Sequence, residues 1–249
     1  MSESRLDGKI GLIVLGICLA TGLIVSSIFI GNALLGMKHQ RVIRVKGTAE
    51  ASVISDQGAW RGEWVVRALD PKEGYLALES RRMLVNDMIK QYGFSPETKV
   101  VFHPVQMETE KKLDEHGNPT SMVEAYVLRQ AVEIQSREVN KIDQIARQSP
   151  ELIKHGIEFR AFPAQYTFTG IEKMKMDLLG RSMRNALERA RALAENTNTA
   201  VGALVSATQG VFQITAPNST EVSDYGSYDT STIEKTVKAV VSCEFSVSR

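Results

Sequence analysis

TVKAVVSCEFSVS, residues 236–248, is the most regular stretch of the chain and predicts a β-strand with one buried face. Polar side chains alternate with apolar ones along it, and successive side chains of a strand point to opposite faces of a sheet. The apolar face consists of Val237, Ala239, Val241, Cys243, Phe245 and Val247. A second segment, RVIRVKGTAEASV at residues 41–53, alternates in the same way. The two segments together predict a domain built on sheets.

The segments between these two strands repeat one order of elements. The predicted repeat is β-α-β-β, first as strand 59–69, helix 70–92 and strands 98–110 and 121–136, then as strand 157–168, helix 170–196 and strands 203–215 and 236–248. Helix 138–154 joins the two units. We therefore expect an α+β domain at residues 41–249, with modules at about 41–136 and 157–249. Helices segregated to one face of antiparallel sheets are typical of this fold class.

Apolar spacing predicts which helix faces are buried. The expected buried stripes are Leu76, Met83, Leu84 and Met88 in helix 70–92, and Leu179, Met183, Ala186, Ala190 and Leu193 in helix 170–196. Asp70, Pro71 and Glu73 favour a helix start at this point. In strand 157–168 the apolar positions change phase beside Pro163, which indicates a β-bulge or an edge strand.

The residues before position 41 differ from the rest of the chain. IGLIVLGICLATGLIVSSIFIGNALLGM, residues 10–37, contains no Asp, Glu, Lys, Arg or His. About 20 apolar residues are enough for a helix to cross a bilayer, so we expect a transmembrane signal anchor at 10–37 after a short tail at 1–9. The residues expected to contact lipid are Ile10, Leu12, Leu15, Leu19, Leu23, Ile28, Phe29 and Leu34.

Other interpretations of this run are open from its residues alone. A cleaved signal peptide has a shorter apolar core, of roughly 7–15 residues, and a buried helix of a soluble domain normally carries a polar stripe. The run fits both less well than an uncleaved anchor. Its orientation is also open, because Lys38, Arg41, Arg44 and Lys46 follow it closely and favour a cytoplasmic domain.

Charge balance and motif content argue against several classes of function. The chain has 30 Lys and Arg against 29 Asp and Glu, without the basic excess typical of nucleic-acid binding proteins. The four histidines, His39, His103, His116 and His155, lack metal-ligand spacing. No phosphate-binding loop or nucleophile elbow occurs. We therefore expect no catalytic residues, no metal, no cofactor and no nucleic-acid partner.

Two further features have both a structural and a functional interpretation. Trp60 and Trp64 share one face of a predicted strand; such a pair packs in a core or interface more often than it stacks a ligand. The segment PNSTEVSDYGSYDTST at 217–232 has two tyrosines and no Lys or Arg. It is either a mobile hairpin loop or a subunit contact, since tyrosine is favoured at interfaces.

Three segments resemble the SIMPL-domain family. They are VIRVKGTAEASVISDQG at 42–58, RNALERARALAENTNTAVGALVSATQG at 184–210 and the closing TVKAVVSCEFSVS, and the resemblance in element order spans about 41–249. It departs from the family at Ser55, where many members have proline, and in the 217–232 segment. The resemblance implies a bacterial periplasmic or cell-surface location, a two-module α+β fold and, in some members, ring-like or cage-like homo-oligomers. It implies no established catalytic residues.

These observations lead to one leading hypothesis and two alternatives. We expect a non-catalytic protein of the bacterial inner membrane, single-pass with its domain in the periplasm, that assembles with itself into a ring or cage enclosing a compartment or channel. Candidate contacts are Pro163, Tyr166, Tyr225 and Tyr228. One alternative is a monomeric or dimeric binding or adaptor module in envelope or oxidative stress, with an unknown small-molecule ligand. A hydrolase would require His103 or His155 to meet a carboxylate in a cleft.

Overall fold

The computed structural model describes residues 16–32, 41–221 and 223–248, which form a mixed α+β structure. The helices are α1 (16–32), α2 (Pro71–Gln91), α3 (Val139–Gln148) and α4 (Ile171–Glu195), with a 3₁₀ helix at Ser149–His155. The strands are β1 (Val42–Ile54), β2 (Gln57–Ala68), β3 (Lys99–Phe102), β4 (Gln106–Leu113), β5 (Pro119–Ser136), β6 (Glu158–Ala161), β7 (Gln165–Thr167), β8 (Ala200–Gln209), β9 (Gln213–Thr215), β10 (Ser227–Tyr228) and β11 (Glu234–Ser248). The predicted α+β class is confirmed.

The strands form two sheets. The six-stranded sheet has the order β3-β5-β2-β6, with β4 also pairing with β5 and β7 with β2. The five-stranded sheet has the order β1-β11-β9-β10, with β8 also pairing with β11. The pairings of the six-stranded sheet are antiparallel, and the two-residue pairing of β10 with β9 is parallel.

The pairing differs from the predicted repeat in one respect. Strand 157–168 was expected to begin the second unit, but its two halves, β6 and β7, both pair with β2 of the six-stranded sheet. The five-stranded sheet instead takes β1, which pairs with β11. Alternating patterns predict that a strand exists, whereas its partner depends on contacts between residues far apart in the chain.

Proline interrupts both edges of the six-stranded sheet. The register passes from Phe102↔Val132 to Gln106↔Arg129 on one side, and from Ala161↔Gly62 to Gln165↔Ala59 on the other. Between the two register pairs on each side, the edge segment thus contains one residue more than the paired stretch of β5 or β2. An extra residue on one strand of a pair defines a β-bulge. Pro163 lies in the second interruption, where the phase change predicted a bulge, and that prediction is confirmed. The single strand predicted at 98–110 is wrong, because Pro104 divides it into β3 and β4.

The largest core lies on the face of this sheet that carries Trp60 and Trp64. Both side chains are buried together with Leu128, Val132 and Ile134. Helices α2 and α3 supply the other side of this core through Leu78, Val85, Ile89, Ile142 and Ile145. The core interpretation of the two tryptophans is confirmed.

The buried face of α2 is not the predicted one. Leu76, Met83 and Leu84 are exposed, and Met88 is only partly buried. The buried residues are Gly74, Leu78, Val85 and Ile89. A Cβ at Gly74 would lie 2.6 Å from Leu128 Cδ1, so the face with the glycine allows the closest approach to the sheet. Helix α2 begins as predicted, because the Asp70 carboxylate accepts hydrogen bonds from the backbone N–H groups of Lys72 and Glu73.

Helix α4 shows the same effect of small residues. Ala186 and Ala190 are buried as predicted, but Leu193 is exposed, and Leu179 and Met183 are only half-buried. The buried positions recur at every fourth residue and are Leu178, Ser182, Ala186, Ala190 and Ala194. Sequence reasoning gave weight to the larger apolar side chains, whereas close packing of this helix uses the smaller ones.

The chain divides into two compact units, each made of separate segments. One contains the described residues of Met1–Gly47, Ala186–Thr208 and Ser242–Arg249, and the other contains Thr48–Asn185 and Gln209–Val241. In the first unit, Arg44 Nε lies 2.6 Å from Glu244 Oε1. The second unit holds the tryptophan core and a smaller core that includes Val53, Leu178 and Val237. The modules at 41–136 and 157–249 stay a prediction.

Helix α1 covers the middle of the predicted anchor. Leu19, Leu23, Ile28 and Phe29 lie on it with exposed side chains. Ile10, Leu12, Leu15 and Leu34, like the tail at 1–9, lie outside the described residues. Among the residues that the structure describes, no helix is both long enough and apolar enough to cross a membrane.

We predict that Gly62→Ala lowers the free energy of unfolding by about 1–3 kcal/mol, because the core has no room for an added methyl group. The new Cβ would lie 2.4 Å from Phe159 Cζ and 2.5 Å from Trp60 Cη2. The control is Gly180→Ala in α4, where the nearest atom lies 3.9 Å away and a gain of roughly 0.5–1 kcal/mol is expected. Urea unfolding followed by circular dichroism measures both, and equal midpoints would contradict the packing described.

Candidate functional site

Strand β8 is an exposed edge strand. Val201 is half-buried, and the other nine residues of the strand are exposed. It pairs with β11 on one side, and no other described strand pairs with it. Such an edge presents unpaired backbone N–H and C=O groups, which readily accept a strand from another chain.

Charge distinguishes β8 from β4, another exposed edge strand. The segment from Asn196 to Thr220, which contains β8, has no charged residue. Strand β4 is also exposed along its whole length and pairs only with β5 among the described strands, but it carries Glu108, Glu110, Lys111 and Lys112. Charged side chains on an edge disfavour pairing with another chain. The β8 edge is therefore the better candidate for self-association.

The structure separates the four predicted contact residues. Pro163, Tyr225 and Tyr228 are exposed, and Tyr225 is 97% exposed. Tyr166 is 4% exposed, and its hydroxyl donates a hydrogen bond to Asp143 Oδ1 at 3.0 Å. Burial, and then this hydrogen bond, raises the pKa of Tyr166 to about 12. Because its side chain is already covered within its own chain, Tyr166 offers little surface to a partner.

The segment 217–232 is held at its C-terminal half. The Asp229 N–H donates to the Ile214 carbonyl at 2.8 Å, and the Tyr166 N–H donates to the Thr230 carbonyl at 2.7 Å. Ser227 and Tyr228 form β10. Ser223 is hydrogen-bonded to the Gln213 side chain through both its N–H and its carbonyl. Tyr225 lies between Ser223 and β10, and its side chain is more exposed than that of Tyr228.

A buried lysine fixes the point where this segment enters β11. Lys235 is 1% exposed, its Nζ donates to the Thr232 carbonyl at 2.5 Å, and Asp229 Oδ2 lies 3.6 Å from it. Burial alone would raise the pKa of the Asp229 carboxyl, but hydrogen bonds from Thr232 and Ser231 and the Lys235 charge hold that pKa well below its usual range. Burial lowers the pKa of Lys235, and Asp229 opposes this change.

The three described histidines lie on different elements. His116 is in the β4–β5 turn and His155 ends the 3₁₀ helix, whereas His39 lies outside the described residues. His103 Nε2 lies 3.4 Å from Glu133 Oε2, so the structure does bring one of the two histidines named in the hydrolase hypothesis next to a carboxylate. In the part of the chain that is described, no group of three or more His, Cys, Asp or Glu residues could hold a metal ion.

A polar cavity of about 250 Å³ lies beside His103, where Pro104 interrupts the sheet edge. Its lining is Arg61, Glu63, His103, Pro104, Gln106, Arg129, Gln130 and Ala131, which includes no Ser, Thr or Cys. Arg61 and Glu63 alternate with buried residues of β2 and so face away from the tryptophan core. In the register of β2 and β5, Ala131 lies opposite Glu63, and its small side chain leaves space between longer ones.

Sequence reasoning missed this cavity. It placed Arg61 and Glu63 on the polar face of a strand, which is correct, but it gave no partner for them. Arg129 reaches this face only because β5 pairs with β2, with Val65 opposite Arg129. The one usable signal was Pro104, which lines the cavity and marks where this edge of the sheet is interrupted.

A comparison with known protein families places the chain in one family. Residues 43–245 match the SIMPL family, described as protein of unknown function (DUF541). The match covers most of the chain, and the protein belongs to the SIMPL family. No curated protein matches the chain.

We predict that Tyr166→Phe lowers the free energy of unfolding at neutral pH by about 1–2 kcal/mol, because it removes the hydrogen bond to Asp143. The pKa of Tyr166 is raised to about 12 in the folded chain, against about 10 in an unfolded one. Its stabilisation is therefore complete below about pH 10 and is lost as the pH rises to about 12.

Urea unfolding of wild type and Tyr166→Phe across this alkaline range measures the effect. The variant should lose less stability between neutral and alkaline pH than wild type. Tyr225→Phe is the matched control, because Tyr225 is almost fully exposed. Unchanged stability together with a changed particle mass would instead assign Tyr166 to a subunit contact.

Proposed function

We propose that this SIMPL-family protein is a membrane-anchored, non-catalytic scaffold that assembles with copies of itself through the edge of β8. The observation that carries this proposal is a ten-residue edge strand that is exposed and uncharged and that, among the described strands, pairs only with β11. A second copy of the chain is the occupant that fits best, because two identical uncharged edges can pair antiparallel about a two-fold axis.

The apolar side chains of β8 add to the backbone hydrogen bonds. Leu204 and Val205 are neighbours, so they point to opposite faces of the strand, and both are exposed. Pairing with a second β8 would cover apolar side chains on both faces. Each square ångström of apolar surface removed from water stabilises association by roughly 25 cal/mol.

A ring or cage needs a second contact on each subunit. A two-fold contact joins only two chains, and a closed assembly larger than a dimer requires another surface that meets a different neighbour. Pro163, Tyr225 and Tyr228 are exposed on segments other than β8, and we propose them as this second contact. The enclosed space would then serve as a compartment or channel at the membrane.

We also propose that residues 10–37 anchor the chain in the bacterial inner membrane. The support is the absence of charge in this run and the exposed apolar side chains of α1. Anchoring confines the chains to one plane and raises their effective concentration for edge pairing. The family resemblance favours a periplasmic domain, whereas Lys38, Arg41, Arg44 and Lys46 favour a cytoplasmic one.

The polar cavity supports a second candidate function, a binding or adaptor module of one or two chains. The cavity lies within one compact unit and needs no second copy to complete it. A particle of one or two chains for the full-length protein would favour this second function over the scaffold.

We predict that the double variant Leu204→Lys and Val205→Lys reduces the particle mass of the full-length protein in mild detergent, because charge on an edge strand opposes pairing. Native mass spectrometry should show wild type as a closed assembly and the variant as smaller particles. Both side chains are exposed, so the fold should tolerate the change.

The matched control for this experiment is Thr109→Lys in β4. This strand is an exposed edge that already carries charges, so the added lysine should leave the mass unchanged. A wild type that is monomeric, or a double variant with the wild-type mass, would exclude the β8 edge as the assembly contact.

We predict that Leu19→Asp together with Leu23→Asp releases the protein from membranes into an alkaline carbonate wash, whereas wild type stays in the pellet. Each aspartate near the middle of a spanning helix costs roughly 2.5–3.5 kcal/mol. The control is Leu69→Asp, an equally apolar exposed position in the domain. Wild-type protein in the carbonate supernatant would refute the anchor. In a separate measurement, protease added to spheroplasts shows on which side of the membrane the domain lies.

A further inference from the structure

The charges of the polar cavity follow an order set by the strands. Arg61 and Glu63 are two residues apart on one face of β2, and Arg129 lies on the adjacent strand β5. Glu63 Oε2 lies 3.7 Å from Arg61 Nη2, and Glu63 Oε1 lies 3.9 Å from Arg129 Nη1. The carboxylate therefore lies between two guanidinium groups, and the cavity presents a positive, a negative and a positive charge in sequence.

Both guanidinium groups keep unused donors. The ion-pair distances of 3.7 Å and 3.9 Å to Glu63 and of 4.0 Å from Arg129 Nη2 to Glu108 Oε2 are longer than hydrogen bonds. Within the described residues, no side-chain hydrogen bond of Arg61 or Arg129 is found. Arginine offers several N–H donors in a geometry that matches a carboxylate bidentately, so these two side chains are suited to an anionic group.

A simple anion is not the best complement to this site. The side chain of Glu63 is only 15% exposed, and a second negative charge beside it would be repelled unless a cation lay between them. A ligand that places an ammonium group against Glu63 and carboxylates against Arg61 and Arg129 would meet all three charges. An α-amino acid with a carboxylate side chain has this negative, positive, negative order.

Size and position agree with a ligand of this class. The cavity of about 250 Å³ lies below the 300–1,000 Å³ that is usual for drug-sized ligands, and an amino acid is correspondingly smaller. The wall on the β3–β4 side is fixed, because Gln130 Nε2 donates a hydrogen bond to the His103 carbonyl at 2.9 Å. His103 Nε2 in turn lies 3.4 Å from Glu133 Oε2.

We propose that this cavity is a binding site for an acidic α-amino acid, with Arg61 and Arg129 binding the carboxylates and Glu63 binding the ammonium group. The site does not depend on assembly, because all of its residues belong to one compact unit. Binding is non-covalent and needs no metal.

The experiment is isothermal titration calorimetry of the full-length protein in mild detergent with defined probes. L-glutamate and L-aspartate should bind saturably, with one site per chain. Glutarate lacks the ammonium group and n-butylamine lacks the carboxylates, so each should bind at least about tenfold more weakly, which corresponds to roughly 1.4 kcal/mol.

Variants assign the binding to named side chains. Arg129→Gln and Glu63→Gln should each weaken L-glutamate binding by about tenfold or more, and Arg129→Lys should restore part of the affinity. The matched control is Arg67→Gln, because Arg67 lies on the same strand but pairs with Glu110 and Glu158, outside the cavity. It should bind L-glutamate like wild type, and circular dichroism checks that each variant is folded.

Three results would overturn the proposal. They are the absence of saturable binding of either amino acid to wild type, equal affinity for glutarate and L-glutamate, and wild-type affinity in folded Arg129→Gln. Equal affinity for glutarate and L-glutamate would show that the cavity binds simple anions and does not recognise the ammonium group. None of them depends on particle mass, so failure of this site and failure of the scaffold function are distinguishable.

Discussion

The structure depends on the pairing of β2 with β5 beneath two helices. These two strands pair over eleven positions, from Gly58↔Ser136 to Ala68↔Tyr126. On one face, Trp60 and Trp64 fill the space under α2 and α3. On the other face, the same register brings Arg61, Glu63 and Arg129 together. One set of backbone hydrogen bonds therefore fixes both the core and the polar cavity, and a slip of one residue would exchange the two faces.

Most elements could be predicted from the sequence, because they depend on local patterns. The period of two in β1 and β11, the Asp70 cap of α2 and the phase change at Pro163 each involve residues close together in the chain. The buried face of α2 could not be predicted in the same way, since two apolar stripes of helical spacing compete there. The choice between them depends on the contact of Gly74 with Leu128, which lies more than fifty residues away.

The candidate sites differ in how far the sequence reveals them. The uncharged segment 196–220 is visible in the sequence, but only the pairing shows that β8 is an edge. The polar cavity has no sequence motif, because its three charges are ordinary surface residues until β2 and β5 are placed side by side. Tyr166 shows the opposite case: its residue type is typical of interfaces, yet its position on β7 directs it into the core.

The placement of the tryptophans also determines what optical methods report. The chain has two tryptophans, and both belong to the core between the six-stranded sheet and helices α2 and α3. Their intrinsic fluorescence therefore follows the polarity around this one core. Loss of structure in α1, in β8 or in the ends of β1 and β11 would leave the emission spectrum almost unchanged. A fluorescence melting curve of this protein is thus a local measurement, and a probe placed in the other compact unit is needed to show whether the two melt together.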